Sequence, residues 1–206
     1  MFSERIEQFD INQPIFTEDI LSAFSRYSRA YVFRIIKKWE STGELVRFSQ
    51  GIYYRPKKTF YGMSTITADD VIEKKYLRSN EDVYGIRSGL WLLNKFLITP
   101  QVPNVIEIVT NKETMRCREI DIDGRKFILR KSRVDINKEN EKIYILLQLF
   151  NDLGTKNTID NVSKQLIIKY IADNKINKKQ LFDMAMSFPA IVTKNMIRTG
   201  VLNGII

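Results

Sequence analysis

The chain has 206 residues, 44% apolar and 28% charged, which is enough for one large domain or two small ones with ordinary cores. A formal charge of +9 points to an anionic partner, a single cysteine (Cys117) excludes an internal disulfide framework, and without histidine a zinc site would need carboxylates alone, so neither metal nor cofactor is expected. The opening MFSERIEQFD carries acid early and lacks an apolar core, and the apolar run IYILLQLF (143–150) is too short to span a bilayer, so no signal peptide and no membrane contact are expected and the chain reads as cytoplasmic.

Residues 1–60 read as a winged helix-turn-helix. A first helix over residues 3–9 leads to Pro14, Thr17 is placed to cap a second helix, and Ser28 is placed to cap a third. In the third, Val32, Ile35, Ile36 and Trp39 follow the spacing of a buried helical stripe. The opposite arc presents Ala30, Arg34, Lys37 and Lys38, with Tyr31 and Phe33 on its shoulders. Gly43 stops the helix, and LVRF (45–48) with IYYR (52–55) around Ser49, Gln50 and Gly51 reads as a hairpin, the wing, closed by Pro56. Tyr53 and Tyr54 alternate along that strand, so one of them is expected in the core.

Residues 61–154 read as mixed helix and strand with nearly balanced charge, fifteen basic side chains against fourteen acidic. Helices are expected over 67–77 and 88–96, a buried strand over 105–110, and a hairpin in REIDIDGRKFILRK about Asp123-Gly124, a dipeptide that favours a type I′ turn. A helix over 139–153 places Ile143, Leu146, Leu147 and Phe150 on one face. Residues 155–206 read as a basic tail of two or three helices, 162–174 and 178–187 being the clearest, with Pro189 ending the second. The expected fold is therefore α+β, with an N-terminal winged helix followed by a C-terminal domain over 61–206, itself a mixed α/β region and a helical tail.

Between Arg26 and Lys58 nine basic side chains stand against two acidic ones, a concentration suited to a phosphate backbone. A charged helix face by itself is what any amphipathic helix turns to water; charge on both helix and wing favours duplex DNA as the partner. Arg34 can bond guanine O6 and N7 together, and Ala30 is small enough to meet a thymine methyl, so these two are the expected base readers. Arg26, Ser28, Arg29, Lys37 and Lys38 suit phosphates, Tyr31 flanks them, and Arg47, Gln50, Arg55 and Lys57 suit the adjacent backbone or minor groove.

Two blocks, GELVRFSQGIYYRP (43–56) and YGIRSGLWLLNKFLITPQVPNVIEIVTN (84–111), resemble the AbiEi-type antitoxin regulators, with a weaker echo in FPAIVTKNMIRTG near the end. The resemblance implies an N-terminal winged helix that binds inverted repeats in its own promoter and represses it. It also implies an AbiEi-like C-terminal domain (61–206) that counters a nucleotidyltransferase-like toxin without a stable complex, in a type IV toxin-antitoxin system tied to phage resistance. Two other readings stand beside it: a nucleic-acid- or nucleotide-modifying enzyme whose winged helix docks the substrate, and a plain mobile-element regulator without a toxin.

Catalytic readings are weaker than structural ones. Asp121 and Asp123 form a DxD pair, but they alternate with Ile120 and Ile122 and end in a glycine turn. Ser88, in GIRSG, has no histidine anywhere to act as its base. Asp69-Asp70 opens a helix, where acid is favoured by the dipole. Cys117 between Arg116 and Arg118 sits in an electropositive setting yet lacks a partner, and Pro100-Gln101-Val102-Pro103 reads as a rigid turn. The chain is not expected to be an enzyme.

Overall fold

The computed structural model describes residues 6–155 and 158–201, and the chain divides into two compact units, 1–74 and 75–206. Of the helix expected over residues 3–9, residues 3–5 lie outside the described residues; Ile6 is helical, but Glu7 and Gln8 form a turn and Phe9 sits in a bend, so the helix does not run on to residue 9. The α+β class holds: both units combine helices with small sheets.

In the first unit β1 (Ile15–Phe16) leads directly into α1 (Thr17–Ala23), and α2 (Arg29–Thr42) is followed by β2 (Val46–Ser49) and β3 (Ile52–Tyr54). The sheet runs β1-β3-β2, both pairs antiparallel, with a bulge between Arg47 and Ser49. Thr17 does not cap α1 as the sequence suggests. It is the first helical residue, and its amide and hydroxyl both donate to the Gly51 carbonyl, at 3.0 and 3.2 Å, tying the turn of the hairpin to the helix start. The cap comes instead from Asp19, whose carboxylate accepts the Phe16 amide at 3.0 Å. Ser28 caps α2 as expected, accepting the Tyr31 amide at 3.3 Å, and Gly43 ends it in the left-handed conformation at φ 75°.

Past the β2–β3 hairpin the first unit continues through a second hairpin, β4 (Lys58–Thr59) and β5 (Gly62–Met63), and through α3 (Ala68–Ile72), so it extends beyond residue 60. The hairpin is fastened at its base: Ser64 accepts the Lys57 amide at 2.7 Å and donates to Asn12. Lys74 donates to the Pro14 carbonyl at 2.6 Å. Thr67 and Asp70 form a reciprocal cap on α3, which accounts for the acid there. The helix expected over 67–77 is present, but from Glu73 to Leu77 it widens into a π-turn.

The second unit opens with a short hairpin, β6 (Arg78–Ser79) and β7 (Asp82–Val83), followed by β8 (Gly85–Ser88), α4 (Leu90–Lys95), β9 (Ile106–Thr110), β10 (Cys117–Ile122) and β11 (Arg125–Lys131). The four longer strands form one sheet in the order β10-β11-β9-β8, in which β9 and β11 are parallel and the other pairs antiparallel. The hairpin about Asp123-Gly124 forms as expected, with both residues at positive φ and the Asp121 carboxylate accepting the Gly124 amide at 2.8 Å. The four helices that follow are α5 (Glu141–Asp152), α6 (Asn161–Asp173), α7 (Lys178–Ala185) and α8 (Ala190–Arg198).

Where periodicity suggests a single buried face on α5, the whole run from Ile143 to Phe150 is buried, because helices from the tail cover what the sheet does not. Asn195 of α8, fully buried, donates to the carbonyls of Phe150 and Gly154 at 2.8 and 2.9 Å, satisfying the end of α5. The tail thus shares one core with the mixed region.

Two glycines shape the start of this sheet. At Gly85 a Cβ would stand 2.0 Å from the Tyr76 carbonyl oxygen, and at Gly89 (φ 64°) it would strike the Glu107 carboxylate at 2.7 Å. The Gly89 amide donates to Asp152 at 2.7 Å, and Gln148 donates to the other oxygen of the same carboxylate at 2.6 Å. Burial nonetheless pushes Asp152 from an ordinary 3.8 up to about 6. Its proton is therefore bound more tightly folded than unfolded, so Asp152 weakens the fold above about pH 6, by about 3 kcal/mol, and ceases to do so below about pH 4. In urea titrations the stability of the wild type relative to Asp152→Asn is expected to rise by that order as pH falls from 7 to 4. A difference that stays flat with pH would show that Asp152 is not the titrating group.

Candidate nucleic-acid interface

The site begins with the packing of α2. Val32, Ile35, Ile36 and Trp39 are at most 6% exposed and join Ile15, Ile20, Phe24, Leu45 and Tyr53 in the core of the first unit. With that stripe turned inward, helical spacing turns Arg29, Ala30, Arg34, Lys37 and Lys38 outward, and all five are exposed. Arg26 and Ser28 are exposed at the turn before the helix, and Tyr31 is half-buried.

Aromatic rings hold part of this face in order. Tyr27 stacks on Tyr31 with centroids 5.1 Å apart, the Arg34 guanidinium lies 5.4 Å from the Tyr31 ring, and that of Arg29 lies 5.8 Å from Phe33. Each such contact is worth about 0.5 to 1 kcal/mol at an exposed position and restricts a long side chain that would otherwise lose rotamer freedom on binding.

On the β2–β3 hairpin Arg47 and Gln50 are exposed, and the Arg47 Nε donates to the Ser49 carbonyl at 3.4 Å. Arg55 is different: it is half-buried and its guanidinium donates to the Phe9 carbonyl, so it fastens β3 to the start of the chain. Tyr53 and Tyr54 are both buried, at 6% exposure each, where alternation predicts one; the sheet's two faces are both covered at this short strand. Lys57 is exposed and precedes the second hairpin.

The tip of that hairpin carries the feature sequence reading misses. Phe60 and Tyr61 are each 96% exposed, with rings edge to face at 5.3 Å, beside exposed Lys57 and Lys58. Two-residue strands are too short to show alternation, so only the run KKTFYG, basic then aromatic then glycine, marks it.

The catalytic candidates Ser88, Asp121 and Cys117 are spread through the second unit, and the Ser88 hydroxyl is buried without a hydrogen-bond partner. Ser88 is 1% exposed inside β8, the Asp121 carboxylate serves the hairpin turn, and Cys117 is an exposed free thiol at the start of β10. Among the described residues no group of three or more carboxylates or thiols is placed to hold a metal ion, and no helix is long and apolar enough to cross a membrane. Residues 2–180 match a family of unknown function. No curated protein matches the chain.

Proposed function

The chain belongs to that family, DUF6088, and we propose that it is a cytoplasmic, sequence-specific DNA-binding regulator that uses its first unit as a winged helix and represses its own operon. The observation that carries this reading is the outer face of α2: Arg29, Arg34, Lys37 and Lys38 exposed above a fully packed stripe, with Ala30 leaving room for close approach. The exposed Arg47 and Gln50 of the wing and the Lys57-Lys58 pair extend the cationic surface, and Phe60 and Tyr61 offer faces for sugars or bases. Antitoxin activity against a nucleotidyltransferase-like toxin is the further part of the proposal, supported by the resemblance of the two sequence blocks to AbiEi-type antitoxins.

Titration of the full chain against its own upstream DNA and against a random duplex, over a range of salt, tests the first part. Arg34→Ala is expected to cost about 1 to 3 kcal/mol on the specific site alone. Lys37→Ala should weaken both duplexes alike and lower the salt slope by about one. Equal losses from Arg34→Ala on both duplexes would remove it from base reading, and no binding by the wild type at low salt would remove the proposal. Co-expression with the adjacent reading frame, scored by growth, tests the antitoxin part.

A further inference from the structure

The second unit contains a cavity of about 980 Å³, open to solvent, between the start of α4, the strands β9 and β11, the loop before β10 and the helix α5. Its charges are unevenly matched. Glu107 is neutralised by Arg130 at 2.7 Å, and both oxygens of Asp152 are already occupied by Gly89 and Gln148. Arg116, Lys131 and Arg133 also line it, all three are exposed, and among the described residues none of them makes an ion pair.

The cavity walls are built rather than incidental. Tyr144 is fully buried and its hydroxyl accepts the Arg133 amide at 2.9 Å, which fixes the backbone from which that cation projects. The Arg116 loop is held by the buried Glu113, which accepts the amides of Thr114 and Met115 at 2.9 and 3.0 Å and pairs with Arg118 at 2.8 Å. Burial alone would raise the Glu113 carboxyl; the Met115 amide and the Arg118 guanidinium outweigh it and hold the group below its usual range, so this brace stays ionised at neutral pH. Leu90, 41% exposed, offers an apolar wall beside these polar groups.

We propose that this cavity binds a phosphorylated nucleoside, its phosphates held by Arg116, Lys131 and Arg133 and its ring against Leu90. Arg133 lies over the Phe188 ring at 5.7 Å, and among the described residues neither it nor Arg116 nor Lys131 has a carboxylate partner; cations so placed along one concavity are the chemistry that recognises phosphate, and a volume near the upper end of ordinary ligand pockets accommodates more than a bare anion. The lining residues all belong to the second unit and the α2 surface belongs to the first, so each site can be altered without touching the residues of the other.

Calorimetric titration of the full chain with ATP, GTP and inorganic pyrophosphate is the test. Saturable one-to-one binding of at least one nucleotide is expected, weakened about tenfold by Arg116→Ala and by Lys131→Ala, each the loss of one charge-assisted contact. Lys126→Ala removes a cation that pairs with Glu119 at 2.9 Å and does not line the cavity, and should leave affinity unchanged. Both lining residues are exposed, so the variants are expected to fold, and thermal unfolding checks that they do. No saturable binding by any of the three compounds, or equal affinity in folded Arg116→Ala/Lys131→Ala, overturns the proposal. Pyrophosphate binding as tightly as the nucleotides would overturn the nucleoside assignment.

Discussion

Gly85→Ala is expected to unfold the second unit, with a loss above about 4 kcal/mol, because the added methyl would lie 2.0 Å from the Tyr76 carbonyl oxygen and 3.0 Å from both Thr110 Cβ and the Val109 carbonyl oxygen. None of these can yield cheaply. Tyr76 belongs to the π-turn, and the next residue on, Leu77, has its carbonyl fixed by the Tyr84 amide at 2.8 Å. Thr110 donates through its hydroxyl to the Tyr84 carbonyl at 2.9 Å, and Val109 pairs with Ile86 and Arg130 in neighbouring strands. Gly43→Ala supplies the contrast. It also occupies a glycine position, at φ 75°, but nothing lies within 4 Å of its Cβ, so only the left-handed backbone penalty of about 1 to 2 kcal/mol should appear. Urea denaturation of both variants checks the pair: comparable losses would mean that the close approach at Gly85 relaxes.

This contrast bears on what was legible in the sequence. The block from Tyr84 to Asn111, on which the antitoxin part of the proposal rests, is made of residues that the fold itself requires. Gly85 and Gly89 permit close approaches, Thr110 holds the Tyr84 carbonyl, and Asn111 accepts from Ser132 and the Ile136 amide at 2.9 Å while donating to the Ile136 carbonyl at 2.8 Å. Such residues report on fold more directly than on activity. The helices α2 and α6 and the Asp123-Gly124 hairpin were readable because their spacing and turn chemistry are local. The all-round burial of α5 was not, since it depends on helices brought back from the tail, and neither was the cationic cavity, whose lining comes from stretches scattered between Gly89 and Asp152.

Because α6, α7 and α8 complete the core around α5, removing residues 155–206 would expose that core and report on folding instead of on toxin neutralisation. Surface charge reversal separates the two proposed activities more cleanly. Ala30→Glu with Arg34→Glu alters exposed positions of α2 and leaves Val32, Ile35, Ile36 and Trp39 packed, so the variant is expected to fold. It removes one cation and adds two like charges against phosphate, and DNA affinity near 0.1 M salt should fall roughly hundredfold or more, with promoter repression lost. The second unit, untouched by the change, should keep its urea midpoint and its nucleotide binding. If the antitoxin part of the proposal holds, growth rescue should also survive. A folded double variant that still binds its upstream DNA with wild-type affinity would show that α2 is not the reading helix. One that loses growth rescue as completely as repression, at normal expression, would show that protection acts through DNA and not through the second unit.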